Sequence, residues 1–128
     1  MAAQETGFKL SKSAIGDDKL GDWLVDGGSG ITGDLKEVPG IGPVSIELLG
    51  KPTKGGAPDD VVQSTHQLIG KFLSFKTTDI DAQTHCDGFF FWLKEKGIRN
   101  HRDGITHAVA EMVNTLIPGM VDLAGLEE

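Results

Sequence analysis

A single cysteine, Cys86, is all that this 128-residue sequence offers for covalent bridging, so no disulfide forms within the chain and a disulfide-stapled secreted fold is excluded. A reducing compartment, nuclear or cytoplasmic, is the setting that fits. No stretch approaches the roughly 18 apolar residues of a membrane span. Met1–Gly7 lacks the basic start and apolar run of a secretory leader, so an intracellular protein is expected. Strand-like alternation never lasts beyond a few positions, and no segment repeats. Basic residues are also in deficit, with 12 Lys and Arg against 19 Asp and Glu and a net charge of −7. A surface coated in basic residues is therefore excluded.

The charge is nevertheless uneven. Residues 1–35 carry three Lys against six acids (−3), residues 36–76 five Lys against four acids (+1), and residues 77–128 four Lys and Arg against nine acids (−5). Only the middle segment escapes the acidic balance. Glycine is uneven too: of 18 in the chain, twelve precede residue 57, so the first half is loop-rich and the second carries longer elements. The length predicts one domain, able to remove roughly two thirds of its unfolded surface from water.

Periodicity and capping residues predict helices. Asp17–Val25 reads as a short helix, with Asp17 or Asp18 at its N-cap and Leu20, Trp23 and Leu24 on one face. Residues 1–16 read as a polar tail with a docked turn at Phe8 and Leu10. Ile31–Val38 reads as a short helical segment, and Val44–Leu49 as a helix closed by Gly50. Pro58-Asp59-Asp60 opens a longer helix through Val61, Val62, His66, Ile69 and Phe72. Thr77-Thr78-Asp79 starts another through Phe89–Leu93 to a stop at Gly97, and Asn100 caps a last one that ends at Pro118-Gly119. The expected organisation is an N-terminal extension over 1–30 with one short helix, a helical domain over 31–120, and an acidic tail over 121–128.

The most informative stretch is Leu35-Lys36-Glu37-Val38-Pro39-Gly40-Ile41-Gly42-Pro43-Val44-Ser45-Ile46-Glu47-Leu48-Leu49. Gly40 and Gly42 permit positive φ and strip the turn of side chains. Ile41 between them serves as an apolar plug, and Pro43 suits the first position of a helix, where a missing N–H is no loss. The backbone N–H groups of such a terminus face outward uncovered, and with the helix dipole they form an anion site. A hairpin between an apolar segment and an amphipathic helix resembles the helix-hairpin-helix motif of DNA-binding proteins. That resemblance implies phosphate contacts at Gly40, Ile41, Gly42 and Val44, assisted by Lys36 and Lys51, positioning the protein on a duplex without reading bases. Lys54, Lys71 and Lys76 are further basic residues of this region. Glu47, one turn beyond the phosphate position, opposes the reading.

A wider resemblance covers residues 33–117. The hairpin, Ile69-Gly70-Lys71-Phe72-Leu73, Phe91-Trp92-Leu93-Lys94 and a terminal helix follow one another as in the barrier-to-autointegration factor family. The resemblance implies an all-α, compact helical bundle of the SAM-like kind. It also implies a homodimer that bridges double-stranded DNA without sequence preference, and LEM-domain partners at the nuclear envelope. Residues 1–30 and the 51–58 loop are additions to the family pattern. The lysine pair after the family's hairpin is reduced to Lys51, and the cysteine-rich terminal helix of animal members is missing. These departures bear more on the LEM partner than on DNA.

Phe89-Phe90-Phe91-Trp92-Leu93 is apolar around most of a helix and predicts burial on more than one side. Core packing is the first reading; a dimer or partner interface at Phe89, Phe90 and Trp92 is the second. His66, His85, His101 and His107 are scattered, and His85-Cys86 are neighbours that cannot face one ion from a helix, so no metal site is expected. His101, Arg102 and His107 read as a solvated face or a minor cationic patch. No nucleophile, base and acid stand in a supporting sequence context. The expectation is a binding protein, not an enzyme, with no cofactor. The rival reading is a protein-interaction module that keeps the hairpin only as architecture.

Overall fold

The computed structural model describes residues 7–13, 15–24, 31–52, 61–77 and 80–123. Among them are five α-helices and no strand: α1 (Asp17–Leu24), α2 (Pro43–Leu49), α3 (Thr65–Ser74), α4 (Ala82–Glu95) and α5 (Arg102–Leu116). Single 3-10 turns lie at Leu10–Lys12 and Leu35–Glu37. The fold is all-α, as the periodicity implied. No helix among the described residues is long and apolar enough to cross a membrane.

The last helix, α5, is the hub. The Leu10–Lys12 turn, α1, α3 and α4 all pack against it, and Ile105, Ala108, Val109, Ala110 and Met112 are fully buried. From the α3 and α4 side come Leu68, Phe72, Phe89 and Leu93, also fully buried. Phe72 and Phe89 meet edge to face with centroids 5.2 Å apart, a favoured geometry for aromatic pairs. Each such side chain contributes about 1.5–3 kcal/mol on leaving water.

The described part of the N-terminal 30 residues is strapped onto this bundle. Phe8 is buried, its N–H donates to Asp87 Oδ1 at 2.9 Å, and its carbonyl accepts from Gln83 Nε2 at 2.8 Å. The Lys9 N–H donates to Asp103 Oδ1 at 2.8 Å. Further along, Trp23 is buried and its Nε1–H donates to the Ala108 carbonyl at 2.8 Å, fixing α1 on α5. At the other end Val121 is buried and exchanges two hydrogen bonds with the Asn114 side chain.

Several boundaries differ from the sequence expectation. Helix α3 begins at Thr65, not at Pro58-Asp59-Asp60, which lie outside the described residues; Val61, Val62 and Gln63 are not helical. The Val62 N–H is taken by the Leu49 carbonyl at 2.8 Å, and Ser64 caps the helix by accepting from the Gln67 N–H at 3.1 Å. Asp81 caps α4 through the Thr84 N–H, in place of the expected start at Thr77-Thr78-Asp79, of which Thr78 and Asp79 lie outside the described residues. His101, not Asn100, is the N-cap of α5. The helical segment expected over Ile31–Val38 shrinks to one 3-10 turn. Its cause is Glu37, whose carboxylate binds the N–H groups of Thr32 and Gly33 and holds that stretch open.

Candidate nucleic-acid interface

The hairpin stands at one end of α5. Its first limb is the Leu35–Glu37 turn, capped by Asp34, whose carboxylate accepts from the Lys36 N–H at 3.0 Å. Val38 and Ile41 are buried, so the turn is anchored at two points. Gly40 between them has φ 91°, and a Cβ there would lie 3.0 Å from Ile105 Cγ1. Backbone strain and the neighbour both demand glycine at that position. Gly42 differs: it is extended at φ −113°, caps α2 without any side-chain bond, and a Cβ there would meet nothing within 4 Å.

The six positions named from sequence separate into distinct roles. Gly40, Gly42 and Val44 have N–H groups with no acceptor among the described residues. The Ile41 N–H is not open to a ligand, because it donates to the Val38 carbonyl at 3.1 Å while the side chain serves as the plug. Val44 is 72% exposed at the tip. Lys36 is exposed and pairs loosely with Asp34 at 3.9 Å. Lys51 is folded back on Glu47 at 3.0 Å, one turn earlier. Both partners are solvated, so that pair is weak, and it partly neutralises the opposing carboxylate. Helix α2 has only two turns, so its dipole is small and attraction for an anion has to come from side chains.

Apart from Lys36, those side chains arrive from outside the motif. Three shallow depressions meet at Gly40: one lined by Lys19, Trp23 and Lys36, one by Lys12, Lys19, His101 and Asp103, and one by Val44, Arg99, Asn100 and His101. Lys12 and Lys19 are held there by the strap and by Trp23 on Ala108. Lys12, Lys19, Lys36 and Arg99 thus surround the turn, and the acids lining the same surfaces are Asp22, Glu37 and Asp103. Glu37 and Asp103 already accept internal N–H groups. Lys71 does not join this group. Its ammonium lies over the Phe75 and Trp92 rings at 5.5 and 5.3 Å. Lys54 lies outside the described residues.

The suggested interface residues Phe89, Phe90 and Trp92 sit inside the single chain, at 0, 4 and 4% exposure, because α4 is packed between α3 and α5. They have almost no surface left for a partner. The Arg102 guanidinium stacks on Phe90 with its central carbon 4.5 Å from the ring centroid. Among the described residues no group of acids, His and Cys could hold a metal ion. His85 is fully buried and bonds the Phe72 carbonyl through Nε2 at 2.8 Å. That carbonyl only accepts, so the proton sits on Nε2. Burial lowers the proton affinity of His85 and raises the Cys86 thiol to about 12, with Asp87 adding to the second effect.

One arrangement had no sequence signal. Ser13 Oγ lies 2.8 Å from His107 Nδ1, and His107 Nε2 lies 3.6 Å from Glu111 Oε2. His107 and Glu111 are one turn apart on α5, while Ser13 comes from the strap, so the set serves as another pin holding Lys12 near the hairpin. No family model, curated protein or solved structure matches the chain.

Proposed function

We propose that the chain binds double-stranded DNA through its sugar–phosphate backbone, without sequence preference, at the Gly40–Val44 turn. The observation that carries this reading is the convergence of Lys12, Lys19, Lys36 and Arg99, drawn from four parts of an acidic chain, around a turn with open backbone N–H groups. Open amides orient one phosphate, and the surrounding cations hold it and its neighbours. Nothing in the turn presents a side-chain donor and acceptor pair able to read base edges, so the contact is indifferent to sequence. Two such faces in one dimer would bridge two duplexes; the dimer surface then lies elsewhere than Phe89, Phe90 and Trp92.

The test is anisotropy of a labelled duplex at several salt concentrations. With about four cations engaged, the slope of log K on log salt is about −3.6, a loss of about a hundredfold between 50 and 200 mM. Replacing Lys12 and Lys19 together by Gln halves that slope. No binding at low salt, or binding unmoved by the double replacement, overturns the reading and leaves the hairpin as architecture in a protein-interaction module.

A further inference from the structure

His101 is the one described residue other than glycine with a left-handed backbone, at φ 66° and ψ 16°. Histidine tolerates this region better than most side chains, but it still carries strain, and strain of this kind concentrates at functional positions. The residue is the N-cap of α5, yet its side chain makes no capping hydrogen bond. The conformation instead directs the residue at the hairpin. His101 Cβ lies 3.4 Å from where a Gly40 Cβ would stand, and the residue lines two of the three depressions that meet there.

The other histidines are placed differently. His85 is buried against Phe72, His107 is engaged by Ser13 and Glu111, and His66 lies beside Gly33. The charged groups that share the depressions with His101 are Lys12 from the 3-10 turn, Lys19 from α1, Arg99 from the preceding loop and Asp103 from α5 itself. Asp103 Oδ1 is taken by the Lys9 N–H. The surroundings of His101 are thus cationic on balance, which suits an anion bound between it and Gly40.

Building on the phosphate-contact reading, we propose that His101 is a pH-gated phosphate contact, its imidazolium supplying a further cation to the phosphate at Gly40–Val44. Histidine is the side chain whose charge changes between about pH 5 and 8. The protonated form binds the phosphate better, so affinity rises as pH falls through that range, and binding draws a proton onto the ring.

The experiment is duplex anisotropy at constant ionic strength from pH 8.5 to 5.5 on the wild type, His101→Asn and His107→Gln. Asparagine accepts the left-handed conformation, so the first variant removes the titrating group while keeping the backbone. The expected result is about fivefold tighter wild-type binding at pH 5.5, with the salt slope steeper by about 0.9. His107→Gln keeps this pH response and His101→Asn loses it. NMR of the wild-type His101 imidazole adds a reading that depends on no variant: its titration midpoint rises when duplex is added. Wild-type binding that ignores pH, a full response retained in His101→Asn, or a midpoint unmoved by duplex each overturns the role of His101 and leaves the hairpin site standing. Absence of wild-type binding at every pH overturns both.

Discussion

The Thr65 hydroxyl donates to Glu37 Oε2 at 2.6 Å, joining the first limb of the hairpin to the first residue of α3. The same carboxylate accepts the N–H groups of Thr32 at 2.9 Å and Gly33 at 3.0 Å, and the Thr65 N–H donates to the Gly33 carbonyl at 3.0 Å. One acidic side chain therefore organises the loop before the hairpin and sets the hairpin against the bundle. Its charge serves the fold, although it lines a depression proposed to receive phosphate.

Replacing Glu37 by Gln should cost about 1–2 kcal/mol in urea unfolding, since a neutral amide is a weaker acceptor and brings an NH2 group opposite donors. Burial pushes the Glu37 carboxyl up, but the hydrogen bonds from Thr65, Thr32 and Gly33 outweigh it and hold the group below its ordinary value of 4.5. A depressed carboxylate stabilises the fold fully above its unfolded value, and that stability is lost as pH falls through the folded one. The gap between wild type and variant should hold constant above about pH 5 and close in more acid solution. A gap that is equally wide at all pH values would show that the loss is steric.

His85 adds a second loss of stability in acid, from burial rather than from hydrogen bonding. Burial depresses its proton affinity below the ordinary 6.5, the bond to the Phe72 carbonyl opposes the shift, and Lys76 adds to it. The unfolded chain takes up a proton that the folded chain refuses. The contribution of His85 is therefore complete above about pH 6.5 and falls as the solution becomes more acid. Thermal unfolding followed by circular dichroism should show a lower Tm at pH 5 than at pH 7.5. Against that background His85→Gln, which keeps a donor for the Phe72 carbonyl, should show a smaller difference between the two pH values.

How far the sequence reveals the site depends on how local each cause is. The α1 face of Leu20, Trp23 and Leu24, the α2 start at Pro43 and the buried α4 aromatics follow from spacing within one helix. The start of α3 was less legible: Pro58-Asp59-Asp60 reads as the opening, but the Val62 N–H is taken by the Leu49 carbonyl and the helix starts only after Ser64. Least legible were Lys12 and Lys19. Lys12 reaches the hairpin because Asp87 and Asp103 bind the N–H groups of residues 79 and 94 positions earlier, and Lys19 because Trp23 on the same helix bonds the Ala108 carbonyl. Side-chain bonds to backbone at such separations leave no period, and an acidic count over residues 1–35 conceals two lysines that face the turn.

Cys86 should be inert in the folded protein. Burial first, and Asp87 second, raise its thiol to about 12, so almost no thiolate exists at neutral pH. A thiol-reactive dye should label the native chain no faster than global unfolding permits and label it at once in denaturant. Rapid native labelling would show that α4 opens locally around Cys86.

The two hairpin glycines should fail in different ways. Ala at Gly40 must adopt φ 91° and crowd Ile105, so Gly40→Ala should lower stability by about 2 kcal/mol or more, whatever the protein binds. Glu at Gly42 meets open space on an extended backbone, so Gly42→Glu should melt within a few degrees of the wild type. What changes there is charge: a carboxylate beside the open Gly42 and Val44 N–H groups competes for them and repels a phosphate. Duplex binding should then fall more than tenfold, while Gly42→Ala, equally tolerated by the backbone, keeps most of it. The comparison separates an electrostatic loss at the surface from a folding defect, because one substitution moves the melting curve and the other moves only the binding isotherm. If Gly42→Glu binds duplex as the wild type does, the phosphate is not held at this turn, and the lysines around it would have to act on some other face.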